Sequence, residues 1–311
     1  MGNSTFSARD YATYTTRASA YKAAKSVTEV FTASNIDAYL DPSKFMVRES
    51  RHSDANPRST PIILGLDITG SMGHIAKEIA QEGFGILIKE ILDRKPVSDP
   101  HIMFSAIGDV DWDEVVLQAS QFEADIKIVD QLTKLCLTRS GGGGNWWESY
   151  NALWHMAAFH TSCDAFEKDG RKGFLFTFGD EEVPSDLNAT RLKKIYKRDD
   201  EIVASNTQLL ELLEEKYHVF HIIIEQGNHM RYHPKEVIKQ WQELLGQNAL
   251  MCSDYKKLSE IIVSAMQVMA GNDAADVAKS WSGDTSLVVA KAVGNLIAKK
   301  DIDGGSAMVR L

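Results

Sequence analysis

Oxygen-bearing side chains occupy alternate positions in Asp67-Ile68-Thr69-Gly70-Ser71-Met72. In a tight turn, alternate residues can aim their oxygens at a single point. One carboxylate and two hydroxyls make a hard, all-oxygen donor set. Mg²⁺ or Mn²⁺ suits such a set, because small hard cations take oxygen ligands in near-octahedral geometry. Two more carboxylates stand at comparable places further along. Glu148 follows a run of glycines at 141–144, and Asp180 follows the apolar run 173–178.

These groups need elements that bring them together. Pro61-Ile62-Ile63-Leu64-Gly65-Leu66 reads as a buried parallel strand ending at Asp67. Ile75, Ile79, Ile86 and Leu87 then recur at helical spacing to about residue 92. A turn at the carboxyl end of a strand is where open α/β sheets place their binding crevices. The alternation continues along the chain, with strands predicted at 100–107, 173–178, 217–224 and 249–252 and a short antiparallel edge at 115–117. Helices are predicted at 124–135, 148–160, 235–245 and 257–270. The pattern implies an α/β fold, a doubly wound, mostly parallel sheet flanked by helices.

The Asp-x-Thr-x-Ser spelling resembles the metal-ion-dependent adhesion site of von Willebrand factor A domains, a Rossmann-like family. The resemblance implies a metal held by Asp67, Thr69 and Ser71, with Asp180 as the last metal-linked aspartate. Many members carry a Thr after the glycine loop; Gly144 and Asn145 stand there instead. Glu148 looks like the glutamate used by the integrin-β-like branch, although the proline of that branch is missing. The family uses its ion to bind an Asp or Glu side chain of a partner protein. The resemblance therefore implies a binding module rather than an enzyme, and by analogy a partner such as an AAA+ ATPase or a larger complex. An alternative comes from the Asp-x-Thr-Gly-Thr turn of Mg²⁺-dependent phosphotransferases, in which Asp67 would be the nucleophile. Pro184 stands where those enzymes place a second Asp.

Length and composition agree with a single core plus extensions. With 311 residues, the expected division is 1–59 as an extension with a helical stretch at 18–32, 60–270 as the A domain, and 271–311 as a helix (287–298) and tail. The net charge of −9 and the lack of a basic cluster argue against nucleic acid as a partner. No apolar run approaches the roughly 20 residues that span a bilayer, and the first residues lack a signal-peptide core. Cys136, Cys163 and Cys252 are expected as reduced core thiols. The expected compartment is the cytoplasm.

Other groups have plainer readings. His218, His221, His229 and His233 are expected to be solvated or capping, since Pro234 disfavours a helix running through His233. Asp109, Asp111 and Asp113 read as a solvated loop, as do Glu181 and Glu182. Trp146 and Trp147 cannot both enter one core, so one is expected at the surface beside the metal, as a binding anchor.

Overall fold

The computed structural model describes Thr5, Ala33 and residues 35–298, apart from 126, 133 and 138–142. The helical stretch at 18–32, the first half of the glycine run and the tail after 298 lie outside the described residues. The chain proceeds through β1 (Arg48–Ser50), β2 (Thr60–Asp67), α1 (His74–Glu78), α2 (Phe84–Arg94), β3 (Pro100–Ile107), β4 (Leu117–Ala119) and α3 (Lys127–Leu132). Then come α4 (Tyr150–Phe159), β5 (Thr161–Cys163), α5 (Asp164–Glu167), β6 (Gly173–Gly179), α6 (Ala189–Tyr196), α7 (Asn206–Lys216) and β7 (Tyr217–Ile224). The last elements are α8 (Asn228–Tyr232), α9 (Pro234–Leu245), β8 (Ala249–Cys252), α10 (Leu258–Met269), α11 (Ala274–Lys279) and α12 (Asp284–Val293).

Six strands form the central sheet in the order β4-β3-β2-β6-β7-β8. Only β4 runs antiparallel, against β3. This is the α/β doubly wound arrangement. All eight residues of β2 are buried, as expected of the central strand of a sheet covered on both faces. Strand side chains alternate between faces, so Ile62, Leu64 and Leu66 pack with α1, α2, α10 and α12, while Ile63 packs with α4, α7 and α9. α1 and α2 are one helical run with a π turn at Ile79–Gly83 between them.

Several elements differ from expectation. Of the helix predicted at 124–135, the structure describes Lys127–Leu132 as helical, with Asp125 accepting from the Lys127 amide and 134–135 already outside it. The edge strand lies at Leu117–Ala119. The last helix begins at Asp284, after Gly283 at φ 57°, and α11 precedes it. Val289, Val293 and Leu296 belong to the core. On the amino-terminal side Leu40 is fully buried, and the buried Arg48 guanidinium donates to the carbonyls of Ala119 (2.9 Å) and Tyr39. β1 pairs in parallel with β5 as a separate two-stranded sheet. Cys136, Cys163 and Cys252 are buried. Among the described residues, no helix is long and apolar enough to cross a membrane.

Candidate metal centre

β2 has parallel neighbours on both sides, β3 and β6. The chain leaves β2 towards β3 and leaves β6 towards β7, so the connections diverge between β2 and β6. That divergence opens a crevice at the carboxyl ends of the two strands. Asp67 is the last residue of β2, and Asp180 is the first after β6.

A chain of oxygens joins the two aspartates. Asp67 Oδ1 accepts from the Thr69 amide (2.9 Å) and the Thr69 hydroxyl (2.6 Å), the local turn that short polar side chains favour. Thr69 Oγ1 lies 3.4 Å from Ser71 Oγ, and Ser71 Oγ donates to Asp180 Oδ1 at 2.7 Å. From outside this run, the Tyr150 hydroxyl at the start of α4 donates to Asp67 Oδ2 at 2.8 Å. The His229 amide in α8 donates to Asp180 Oδ2 at 2.8 Å. Asp67 and Asp180 have no exposed surface.

Glu148 lies just ahead of α4 and is 4% exposed, and its Oε2 is buried without a hydrogen-bond partner. Its loop is pinned on two sides: the Ser149 amide donates to the Gly108 carbonyl, and the Glu182 amide donates to the Trp146 carbonyl. Glu181 is also buried, its Oε2 3.4 Å from His229 Nδ1. Burial and mutual repulsion push these acids up. Glu148 rises to about 11, from desolvation first and then the charges of Asp67, Asp109 and Glu181. Asp67 rises to about 7, from desolvation and then Asp180, and Glu181 rises to about 8 for the same kinds of reason. Asp180 is raised by burial, against the hydrogen bonds from Ser71 and His229.

Four buried carboxyl groups and two hydroxyls with no cationic side chain among them fit a hard divalent cation. The orphaned Glu148 oxygen is the clearest sign of that fit, since buried acceptors otherwise find partners. The hydroxyls matter as much as the charges. Thr69 and Ser71 stand between the carboxylates, so the site lacks three acidic or imidazole ligand atoms within 4.8 Å of one another; among the described residues one group meets that condition, His155, His160 and Glu201. Asp67, Thr69, Ser71, Glu148 and Asp180 would hold the ion, with Glu181 beside them.

Close backbone approach is part of the construction. A Cβ at Gly179 would lie 2.1 Å from the Tyr150 hydroxyl and 2.6 Å from Asp67 Oδ2. A Cβ at Gly227 would lie 2.2 Å from Asp180 Cβ. Only glycine leaves that space.

The structure thus brings the five sequence-predicted residues into one crevice. Trp146 is 56% exposed at its rim, its ring stacked on His229 with centroids 5.3 Å apart. Trp147 is half-buried under the Arg191 guanidinium. The histidine reading needs correction for two residues. His221 is fully buried, stacked on Trp241 at 3.5 Å and bonded to Thr177. His229 is buried because its helix opens against Asp180. The helix does break at His233, between α8 and α9, where Pro234 takes the first position. Asp109 and Asp113 are also buried rather than solvated. Asp109 Oδ1 accepts from the Asp111 amide, and Asp113 Oδ2 accepts from the Asp109 amide, closing the loop on itself. Tyr150, His229 and Glu181 were not singled out from sequence as site residues. A buried aromatic hydroxyl 83 residues from its acceptor leaves no local signal.

No protein-family model matches this chain, and no curated protein does. Among solved structures, the chain is similar to the pilus adhesin SpaC from Lactobacillus rhamnosus GG (TM-score 0.46, 10% identity, 71% of this chain and 32% of the adhesin). The open conformation of that adhesin gives a TM-score of 0.44 at 11% identity, over 71% of this chain and 31% of the adhesin. A von Willebrand factor type A structure from Catenulispora acidiphila gives 0.35 at 12% identity, over 68% of this chain and 42% of that one. The chain therefore spans less than half the length of either protein. The fold class rests on the strand order and register described above.

Proposed function

We propose that this chain is a protein-interaction module of the von Willebrand factor A type, which binds an acidic side chain of a partner through a divalent cation. The observation that carries this reading is the convergence of oxygens at the switch point, Thr69 donating to Asp67 and Ser71 to Asp180 with the two hydroxyl oxygens 3.4 Å apart, and a partnerless Glu148 oxygen beside them. Mg²⁺ or Mn²⁺ bound there would supply a positive centre for a partner's Asp or Glu. This chain's own residues do the rest. Tyr150 and the Thr69 amide fix both oxygens of Asp67, the His229 amide fixes Asp180, and Trp146 offers an exposed aromatic face at the rim. Trp147, the second candidate anchor, packs instead against the core under Arg191. We place the module in the cytoplasm and expect its partner to be a protein assembly such as an AAA+ ATPase, by analogy alone.

The phosphotransferase alternative asks Asp67 to approach phosphorus in line. Its lack of exposed surface and its three hydrogen bonds disfavour that approach. Calorimetric titration with Mg²⁺ and Mn²⁺ tests the proposal. The wild type should bind one ion, and Asp180→Asn should bind at least ~10-fold more weakly while keeping the hydrogen-bonding shape of the side chain. Equal affinity in both sinks the cation site. An acyl phosphate found on Asp67 by mass spectrometry after incubation with acetyl phosphate moves the chain to the enzyme class.

A further inference from the structure

Far from the crevice, at the other end of α4, a second set of ligand-type side chains meets inside the protein. A ring nitrogen of His155, one of His160 and a carboxylate oxygen of Glu201 all lie within 4.8 Å of one another. His155 is fully buried, and the side chains of His160 and Glu201 are only 9% and 7% exposed.

The hydrogen bonds around the two rings limit where their protons can be. His160 Nδ1 lies 2.9 Å from the Met46 carbonyl, which only accepts, so Nδ1 carries a proton and donates. In the neutral ring Nε2 then holds the lone pair, and it faces Glu201 Oε2 at 2.8 Å. A lone pair against a carboxylate oxygen is repulsive, so a positive centre belongs between them: a second proton or a metal ion. His155 repeats the arrangement. Its Nε2 donates to the Ile202 carbonyl at 2.9 Å, and its Nδ1 pairs with the Tyr196 hydroxyl at 3.0 Å. The Ile202 carbonyl only accepts, so Nε2 keeps its proton, and Nδ1, facing the Tyr196 hydroxyl, is the nitrogen whose lone pair His155 can present to an ion. The remaining oxygen of Glu201 is held by Arg198 Nε at 2.8 Å. Metal-binding histidines are oriented in this way, with the second ring nitrogen anchored on a carbonyl or other polar group.

We infer that His155, His160 and Glu201 form a binding site for a first-row transition-metal ion, Zn²⁺ by ligand type, separate from the oxygen-lined crevice. Two imidazoles and one carboxylate are a common three-residue zinc set. Mg²⁺ prefers oxygens and belongs to the other site. With so little exposure the second site is structural. The ion ties the end of α4 to the loop carrying Arg198 and Glu201, and through the Met46 carbonyl to the segment leading into β1. This inference does not depend on what the crevice binds.

The test is Zn²⁺ titration of chelator-stripped full-length protein in saturating Mg²⁺, read by competition with a chromophoric chelator. The wild type should take up one Zn²⁺ per chain. H160Q and E201Q should each weaken that binding by at least ~100-fold, beyond the usual loss from a merely orienting partner, whereas D180N should leave it unchanged. Because a buried substitution can impair folding, Co²⁺ loaded into the wild type gives a second readout. Visible bands of a four- or five-coordinate nitrogen–oxygen site support the inference, and their absence overturns it. Zn²⁺ uptake that persists in both H160Q and E201Q, or that disappears in D180N, also overturns it. In the first case His160 and Glu201 are only a buried ion pair.

Discussion

Replacing Glu148 with Gln separates a metal ligand from a helix-start residue, because the structure gives it a distinct signature in pH. In the metal-free protein burial and the neighbouring acids raise the Glu148 carboxyl from 4.5 to about 11, so the folded chain keeps it protonated at neutral pH. The unfolded chain releases that proton just above its ordinary value. A carboxyl raised in the folded state contributes stability that is whole below the unfolded value and is lost as pH rises towards the folded one. Each retained proton costs about 1.4 kcal/mol per pH unit, or roughly 2.7 kcal/mol between pH 5 and pH 7. Asp67 and Glu181, raised to about 7 and about 8, steepen the wild-type slope in the same window. Gln copies the shape of the protonated acid and cannot titrate, so Glu148→Gln should flatten the slope by one proton. The variant should match the wild type near pH 5 and exceed it near pH 7. Mg²⁺ reverses the order, since it stabilises the ionised carboxylate that Gln lacks and displaces protons as it binds. Urea melts in EDTA and in Mg²⁺ at three pH values measure both effects. Parallel pH slopes for wild type and variant in EDTA refute the reasoning, and unchanged Mg²⁺ affinity removes Glu148 from the ligand set.

Two further perturbations probe the same crevice. Gly179→Ala places a methyl group 2.1 Å from the Tyr150 hydroxyl, which should cost about 1–3 kcal/mol in a denaturant melt and weaken Mg²⁺ binding as Asp67 loses its donor; a variant as stable as wild type contradicts the packing described. Trp146 stacks on His229, whose amide holds Asp180, so Mg²⁺ should change the tryptophan emission of the wild type and the change should vanish in Trp146→Phe. An unaltered Mg²⁺ response in that variant detaches Trp146 from the site.

Much of this crevice was legible because its first three ligands lie in one turn and its scaffold is regular. A wholly buried strand announces itself as an unbroken apolar run, so β2 and β6 were readable, and with them Asp67 and Asp180. Elements that draw their stability from distant contacts were not. β1 and β5 are three residues each, too short to show a period, and exist because they pair with one another. α7, absent from the predicted elements, does carry a local signal: a Ser205–Gln208 capping box at its start, with Leu209, Leu210 and Leu213 following at helical spacing. His229 and Asp109 look like loop residues in sequence, and their burial follows from loops folding back over strand ends. The His155–His160–Glu201 cluster is likewise invisible in one dimension, because 41 residues separate its second and third members.

Gly65, in the middle of β2, gives the sheet a notch. A Cβ there would meet Leu153 Cδ2 at 2.3 Å and Ile107 Cδ1 at 2.8 Å, so α4 lies against the strand at a depth that only a bare backbone permits. Leu153 is one helical turn beyond the start of α4, and at ~1.5 Å of rise per residue it lies well under 10 Å along the axis from Glu148. The notch therefore acts as the bearing on which α4 is seated. Any tilt of the helix about that contact swings Glu148 towards or away from Asp67, while the opposite end of the helix, capped by His160, swings the other way. The spacing of oxygens in the crevice is in this sense a mechanical setting, made several residues away by the smallest side chain in the sheet.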